Sequence, residues 1–414
     1  MSHITTVELG CGMPLLVERM PNVASLALSW LLPAGSATDP IDGDGQAAIL
    51  SELIFRGAGE LSSRQLSDAL DRLGVQRSSQ VRTHHLRIDA TILGDHLADT
   101  LPLLVSLVRS PALDAAVLDP VRSLCLQSLD ALDDDPQHLA MLRLRQQHLA
   151  PPFNRHGYGE RTVLESTSIE SLRSAWSQRF VPAGAIFSAA GAVDPDRLAD
   201  QLNQLLAGWA GRFEEPVELE PPDRSPLHIV QETAQVHIGL AYEAPPESDE
   251  NSLLERLAVT VLGGSTSGRL FTEVRQKRSL SYSVGASYRA GRDEGVVTLY
   301  AGTTPDRAQE TLDVCTAEVR RLTDGIDEDE FHRASTGLKS HLVMQGESTG
   351  ARALALGADQ FRLSRPRSLE EIAAAVDAIS LDQLNAYIAC RRIDAMTIVS
   401  LGPVELKTPA AATC

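Results

Sequence analysis

Residues 262–284 read LGGSTSGRLFTEVRQKRSLSYSV and contain signals for several successive elements. The Gly/Ser-rich part at 263–268 lacks the Gly-Lys-Ser/Thr ending of a phosphate-binding loop and does not follow a strand, so it predicts a flexible turn between helices. A helix is predicted at Gly268–Lys277 and a strand at Ser281–Tyr288. The stretch therefore predicts a helix, a turn, a second helix and a strand.

This segment lies in the second of two halves whose predicted elements follow a similar order. Each half starts with two β-like runs, continues with two helices and two more β-like runs, and then has further helices and a last strand. Residues 213–226 between them are acidic and proline-rich, which indicates a linker. The predicted domains are 1–212 and 227–414. The predicted class is α+β, with a mainly antiparallel sheet in each domain and helices packed on one face.

The composition limits the cellular setting and the partners. A chain of 414 residues with 43% hydrophobic residues is long enough for two packed domains. A net charge of −18 argues against nucleic acid or an anionic membrane as a partner, because binding phosphate requires Lys and Arg. The apolar stretch 23–34 is too short to span a bilayer, no signal peptide is recognisable, and five scattered cysteines form no C-x-x-C pair. We therefore expect a cytoplasmic protein.

Several stretches together resemble the M16 (insulinase-like) metallopeptidases, specifically their short bacterial members. Residues 262–284 are similar to the family pattern LGGGxSSRLFxxVREKRGLAYSV. The sequence GSATDP at 35–40 resembles the turn that precedes the family's zinc helix, and HGYG at 156–159 resembles its HPYG landmark. The resemblance runs nearly end to end. It implies two homologous domains that form one half of a clamshell.

The zinc helix of that family is recognisable here without its ligands. Residues 45–58, GQAAILSELIFRGA, resemble GxxHxxEHxxFxGT. In H-x-x-E-H the histidines lie one turn apart and bind zinc, and the glutamate polarises the bound water. The resemblance places the histidines at Ala48 and Glu52, the general base at Ser51 and the distal glutamate ligand at Ser128. It implies that this chain binds no metal and is not a peptidase alone.

The segment at 262–284 retains two polar groups of the family, Arg275 and Tyr282. The resemblance implies that they lie across a chamber from the zinc and contact the substrate backbone and the developing oxyanion. A phenol can donate to that oxyanion, and a guanidinium can hold substrate carbonyls. Gly263 and Gly264 are assigned to a loop of the substrate chamber. Spacing alone favours an ordinary arginine at a helix end and an ordinary strand tyrosine. The surrounding family-like string favours the functional interpretation.

These features favour a non-catalytic subunit of a heterodimeric M16 peptidase. A partner bearing H-x-x-E-H would supply the zinc, and an extended peptide would be the substrate, added as a strand to a sheet edge. One alternative is an inactive peptide-binding or structural protein, either a homodimer or a core subunit of a larger assembly. Another is an active zinc peptidase with unusual ligands, for which Glu52 would have to recruit residues such as His84 and His85.

Overall fold

The computed structural model describes residues 3–393 and 395–408. The strands are β1 His3–Glu8, β2 Pro14–Arg19, β3 Ser25–Leu32, β4 Gly57–Ala58, β5 Leu61–Ser62, β6 Gln76–Val81, β7 Leu86–Leu93, β8 Ile186–Gly191, β9 Leu227–Val230, β10 Val236–Ala244, β11 Ser281–Ala290, β12 Gly295–Thr303 and β13 Thr397–Gly402. The α-helices are α1 Gln46–Leu53, α2 Ser63–Arg72, α3 Leu97–Arg109, α4 Leu118–Asp130, α5 Pro136–His148, α6 Arg161–Ser166, α7 Ile169–Arg179, α8 Pro195–Leu205, α9 Ser252–Gly263, α10 Ala308–Arg321, α11 Glu328–Gly346, α12 Thr349–Leu363, α13 Leu369–Asp377 and α14 Leu381–Ala389.

Two compact units are built from these elements, and neither is continuous in sequence. Among the described residues, the first unit comprises 3–131, 151–220 and 345–368, and the second comprises 132–150, 221–344 and 369–408. Helix α5 therefore belongs to the second unit, and helix α12 to the first. The predicted domain division at 213–226 stays a prediction. The compact units are a different partition of the chain, since each contains residues from both sides of that segment.

The first unit has a six-stranded sheet with the order β1-β2-β8-β3-β7-β6. All neighbours are antiparallel except β2 and β8. Alternate residues of β3 face opposite sides, so Leu28 and Trp30 join the main core while Ala27 and Leu31 meet α12. The mainly antiparallel α+β architecture is confirmed. One helix, α12, lies on the sheet face that was expected to carry none.

The second unit has a five-stranded sheet with the order β11-β12-β10-β13-β9, in which only β13 and β9 are parallel. Its main core lies on one face, and α5 packs on the other. There, Leu144 contacts Ala241 and Val399. A Cβ atom added to Gly239 would lie 3.2 Å from the Leu144 side chain, so glycine allows α5 its close approach. An extra helix on the second face is thus a feature of both units.

Candidate functional site

Helix α1 carries three of the predicted degenerate zinc positions, and the polar side chains at these positions contact other groups near the same helix. Ala48 and Ser51 are buried, each with 9% of its surface exposed. The Ser51 hydroxyl donates to the Ala48 carbonyl at 2.8 Å. The Glu52 side chain is 45% exposed and has a carboxylate oxygen 3.8 Å from the guanidinium of Arg56. None of these groups is arranged as a metal ligand or as a general base.

The start of α1 is fixed by a buried ion pair. The Asp39 carboxylate accepts hydrogen bonds from the backbone N–H groups of Gly45 at 2.9 Å and Ala47 at 3.0 Å. Arg179 from α7 pairs with Asp39 and donates to Gln46 at 3.0 Å. These bonds satisfy N–H groups that a helix start leaves unpaired. The frame of the helix is therefore held although the catalytic residue types are absent.

Asp44 is an unusual carboxylate beside that helix start. One of its oxygens, Oδ1, is buried without a hydrogen-bond partner among the residues described, and the other lies 3.6 Å from Arg155. Burial raises the pKa of Asp44 to about 6, Arg155 opposes the shift, and the carboxylates of Asp39 and Glu160 add to it. The Asp44 carbonyl also accepts the Glu160 N–H at 2.9 Å, which ties the end of the HGYG stretch to α1.

Ser128, the predicted position of the distal ligand, is exposed on α4. Its hydroxyl donates to the Leu124 carbonyl within the same helix at 3.0 Å. Also on α4 is Cys125, whose pKa is raised to about 11 by burial and, to a smaller extent, by the Glu52 carboxylate. The sequence analysis did not single out Cys125. The available sequence signal was the spacing of Cys125, which places it on the same buried face of α4 as Leu118 and Val121.

The side chains around α1 do not fit a zinc ion. Zinc requires three or four nitrogen, sulfur or oxygen ligands from the protein. Throughout residues 3–393 and 395–408, no group of three His, Cys, Asp or Glu side chains could hold a metal. The alternative ligands His84 and His85 have ring centroids 6.4 Å apart, and both rings pack against Phe361. The chain that is described thus offers no rebuilt ligand set.

Arg275 lies on a helical turn of unusual geometry. Phe271–Gln276 form a π-helix, and Lys277 N–H donates to the Thr272 carbonyl at 2.9 Å in the five-residue spacing of that helix. Such turns are rare and are frequent at functional sites. The exposed guanidinium of Arg275 stacks over Phe271, with its central carbon 4.9 Å from the ring centroid. The sequence predicted an ordinary helix here, since no residue pattern distinguishes the π form.

Three other cations of this segment are paired within the protein. Arg269 donates to both carboxylate oxygens of Glu330, each at 2.7 Å. Lys277 and Arg278 donate to buried Glu273 at 2.7 and 2.6 Å, and these bonds hold the pKa of Glu273 below its usual range. Arg275 has no ion pair with any described residue. The other three cations of the segment therefore serve structural contacts, and the guanidinium of Arg275 is available to a ligand.

Tyr282 occupies a β-bulge at the start of β11. Ser281 pairs with Thr303 and Ser283 pairs with Gly302, so Tyr282 is the additional residue on its strand. The Ser281 hydroxyl fixes the bulge by contacting the carbonyls of Ser283 at 2.7 Å and Gly302 at 2.6 Å. Bulges redirect side chains and are frequent next to active sites. The Tyr282 side chain is consequently 79% exposed.

The two glycines assigned to a chamber loop lie at the end of α9. Gly263 is the last residue of the helix, and Gly264 caps it. A Cβ atom on Gly263 would lie 2.5 Å from the backbone nitrogen of Ala286, so only glycine permits this approach of α9 to β11. The structure brings Gly263 against the strand that carries Tyr282. Their assignment to substrate contact stays a prediction, as do the assigned roles of Arg275 and Tyr282.

Comparisons with known proteins agree with this architecture. The family model described as "Insulinase (Peptidase family M16)" matches residues 15–156, and "Peptidase M16 inactive domain" matches 166–338. An uncharacterized zinc protease of Bacillus subtilis, YmxG, is 25% identical over 90% of this chain and 92% of its own. An uncharacterized zinc protease of Mycobacterium tuberculosis is 26% identical over 95% of this chain and 91% of its own.

Solved structures share the fold over nearly the whole chain. A peptidase M16 inactive domain from Pseudomonas fluorescens has a TM-score of 0.87 at 20% identity and covers 98% of this chain and 99% of its own. A chain of Complex III2 from Candida albicans has a TM-score of 0.83 at 17% identity, with 97% of both chains covered. No helix of the described residues is long and apolar enough to cross a membrane. By its two matching domains, its relatives and its fold, the chain belongs to the M16 peptidase family.

Proposed function

We propose that this protein is the non-catalytic subunit of a heterodimeric, zinc-dependent M16 peptidase. A partner subunit carries the H-x-x-E-H helix and binds the zinc. This chain contributes Arg275 and Tyr282, which position the peptide and stabilise the negative charge that develops on its scissile carbonyl. The proposal assigns proteolysis to the complex and a cytoplasmic location to both subunits.

The observation that carries the proposal is that the polar side chains of one motif region have partners within the protein and those of the other do not. On α1, Ser51 bonds within its own helix and Glu52 lies beside Arg56. On the π-helix and the bulge, the side chains of Arg275 and Tyr282 are exposed and make no hydrogen bond with a described residue. Exposed donors without a partner are suited to a ligand that arrives from outside the chain.

A free sheet edge beside α1 supports the binding of an extended peptide. Strand β6 is the last strand of the first unit's sheet. The hydroxyl of Ser79 on β6 donates to the Ser51 carbonyl of α1 at 2.9 Å, so the edge and the degenerate helix are joined. An edge strand can accept a peptide through backbone hydrogen bonds that do not depend on the peptide's sequence.

The test is affinity purification of the chain from its native cells, followed by identification of the proteins that co-purify. We expect a near-stoichiometric protein of similar size that carries H-x-x-E-H, and a complex that cleaves peptides and loses activity when zinc is chelated. Recovery of this chain alone, or paired only with itself, would overturn the subunit role.

A structural role is the second candidate, and the similarity to a chain of Complex III2 is the observation that favours it. A core subunit does not need the guanidinium of Arg275 or the phenol of Tyr282. An assembly that forms and functions equally well with Arg275→Ala and Tyr282→Phe would therefore favour the structural role. A loss of peptide cleavage without a loss of assembly would favour the peptidase subunit.

A further inference from the structure

The turn between Arg275 and Tyr282 contains a residue in a strained conformation. Ser279 has a φ of +53°, in the left-handed region that residues other than glycine rarely adopt. The family pattern given above for this segment has glycine at the position of Ser279. Strained residues of this kind cluster at functional sites and persist only where the surrounding contacts hold them. The contacts that hold Ser279 therefore bear on both of its functional neighbours.

The backbone of this turn is bonded to the π-helix. The N–H of Ser279 donates to the Arg275 carbonyl at 3.1 Å, and the N–H of Leu280 donates to the Val274 carbonyl at 2.8 Å. Each bond spans one residue more than its counterpart in the usual helix ending with a left-handed residue. The turn thus continues the wider spacing of the π-helix, and the backbone of Arg275 is bonded directly to the strained residue.

Two side chains from the connection between β12 and α10 donate to carbonyls of the turn. Nη1 of Arg307 donates to the Ser279 carbonyl at 2.6 Å, and the hydroxyl of Thr303 donates to the Leu280 carbonyl at 2.6 Å. Thr303 is buried, and its hydroxyl oxygen lies 3.2 Å from that of Thr311 on α10. Two successive carbonyls of the turn are therefore held from one neighbouring connection.

Arg307 makes the charged one of these two contacts. A hydrogen bond from an ionised donor is stronger than one between neutral groups. The ion pair of Arg307 with Asp306 is 3.9 Å long, beyond hydrogen-bond distance, so the Ser279 carbonyl is the closer partner of this guanidinium. The Arg307 side chain is 47% exposed. Its substitution should therefore remove the contact without disturbing the core.

We propose that Arg307 is a positioning residue for Arg275 and Tyr282. It holds Ser279 in the left-handed conformation that a serine disfavours, and that conformation sets the path from the π-helix into the bulge. Without the guanidinium of Arg307, the turn would relax toward negative φ and both functional side chains would lose their fixed places. Stabilisation of a transition state depends on such fixed places. Arg307 acts through the backbone and not by contact with the substrate.

The first experiment measures amide hydrogen exchange by mass spectrometry in the full-length chain without a partner. The N–H groups of Ser279 and Leu280 report on the turn, because each donates to a carbonyl of the π-helix. In Arg307→Gln we expect a fragment covering 271–284 to exchange about tenfold faster, since a hydrogen bond from a charged group contributes about that much to a local opening equilibrium. Unchanged exchange in this fragment would overturn the proposal.

Two further variants serve as controls for the guanidinium. Arg307→Lys keeps a charged donor and should show a smaller increase in exchange than Arg307→Gln. Arg320→Gln is the matched control, because it removes one exposed cation from helix α10 of the same unit, and it should leave the fragment unchanged. Equal increases in Arg307→Gln and Arg320→Gln would assign the effect to net charge and would overturn the proposal.

Ser279→Gly tests whether strain at this residue is what Arg307 opposes. Glycine adopts the left-handed region about as readily as the right-handed one, so the turn should persist without its contact to the guanidinium. The double variant Ser279→Gly with Arg307→Gln should therefore regain most of the protection from exchange that Arg307→Gln loses. A double variant that exchanges as fast as Arg307→Gln alone contradicts the assigned role.

The catalytic consequence is measured in the co-purified complex. Arg307→Gln should lower kcat about tenfold with little change in KM, because misplaced groups stabilise the transition state less well. Ser279→Gly should restore much of that loss in the double variant. The thermal unfolding midpoint, followed by circular dichroism, should stay the same. A lower midpoint with an unchanged kcat would show that Arg307 only stabilises the fold, and would overturn its positioning role.

The inference rests on the proposed function for its effect on catalysis, and the two measurements separate them. If the complex cleaves peptides but Arg307→Gln changes neither exchange nor kcat, the positioning role is wrong and the subunit role stands. If no catalytic partner is found but exchange increases in Arg307→Gln and is restored by Ser279→Gly, the subunit role is wrong and the hold of Arg307 on the turn stands.

Discussion

Helix α1 and the segment from the π-helix to the bulge are the two motif regions of this M16 chain, and they differ in which part of the family motif is present. On α1 the scaffold is intact, since Asp39 and Arg179 fix its start, but the residue types that perform hydrolysis are absent. On the second segment, Arg275 and Tyr282 remain and are exposed. Structural and chemical roles are thus carried by different residues, so substitutions should separate them.

The largest effect is expected in the scaffold of α1. Asp39→Ala leaves Arg179 buried without its partner, which typically reduces the free energy of unfolding by about 3–5 kcal/mol. All three tryptophans lie in the first unit, so urea unfolding followed by tryptophan fluorescence reports on that unit. Asp42→Ala, on the exposed surface nearby, should leave the unfolding midpoint unchanged. Equal stability of the two variants would show that the ion pair does not hold the helix.

The next largest effect is expected at the bulge, and it concerns rate. If the proposed function is right, Tyr282→Phe removes one donor to the developing oxyanion, for which a loss of roughly a hundredfold or more in kcat is typical. Because the side chain is 79% exposed, the unfolding midpoint should not change. Peptide cleavage by the complex, measured as kcat and KM separately, checks this. A change in KM alone would assign Tyr282 to binding and not to the transition state.

Asp44 gives a prediction that depends on pH. Its pKa in the folded protein is about 6, above the ordinary value of 3.8, so the native state retains a proton that the unfolded chain releases. The stability contributed by Asp44 therefore falls as the pH rises from about 4 to 6, and the penalty is complete above that range. Asp44→Asn should stabilise the first unit by at most about 3 kcal/mol at pH 7.5.

The comparison that checks this is urea unfolding of the wild type and of Asp44→Asn at pH 4 and pH 7.5. The two curves should nearly coincide at pH 4 and separate at pH 7.5. A variant that is less stable than the wild type at pH 7.5 would show that the contact of Asp44 with Arg155 outweighs burial.

The smallest effect is expected at the position assigned to the former general base. Ser51→Ala removes one hydrogen bond within α1, a loss that the higher helix propensity of alanine partly offsets. The free energy of unfolding should therefore change by no more than about 1 kcal/mol. The cleavage rate of the complex should be unaffected. A tenfold loss of rate with Ser51→Ala would show that α1 also has a chemical role, which would contradict the separation of roles between the two motif regions.

Much of the fold could be predicted from the sequence because the relevant signals are local. Alternation predicted the strand at Ser281–Tyr288, and the structure places β11 at Ser281–Ala290. Further helices were also predicted for the first half, and one of them is present as α5. Its packing partner was not predictable, because an apolar stripe such as Ala140 and Leu144 shows that a face is buried but not against which sheet.

The candidate site shows the same limit. The motif identified Arg275 and Tyr282, but the residue string contains four cations and does not rank them. Only the contacts of Glu273 and Glu330 separate the structural cations from the available one. The bulge at Tyr282 is also absent from the alternation pattern, because it depends on the partner strand and on the hydroxyl of Ser281.

The position of α12 has a consequence for biosynthesis. The sheet of the first unit is otherwise complete once residue 220 has been made, but Leu16 and Ile186 are covered by Leu356 of α12. At about 5–20 residues per second, the ribosome needs roughly 7–30 s to reach the end of that helix. During this interval the nascent chain presents an apolar sheet face, and we expect holdase chaperones to occupy it until translation supplies the missing helix.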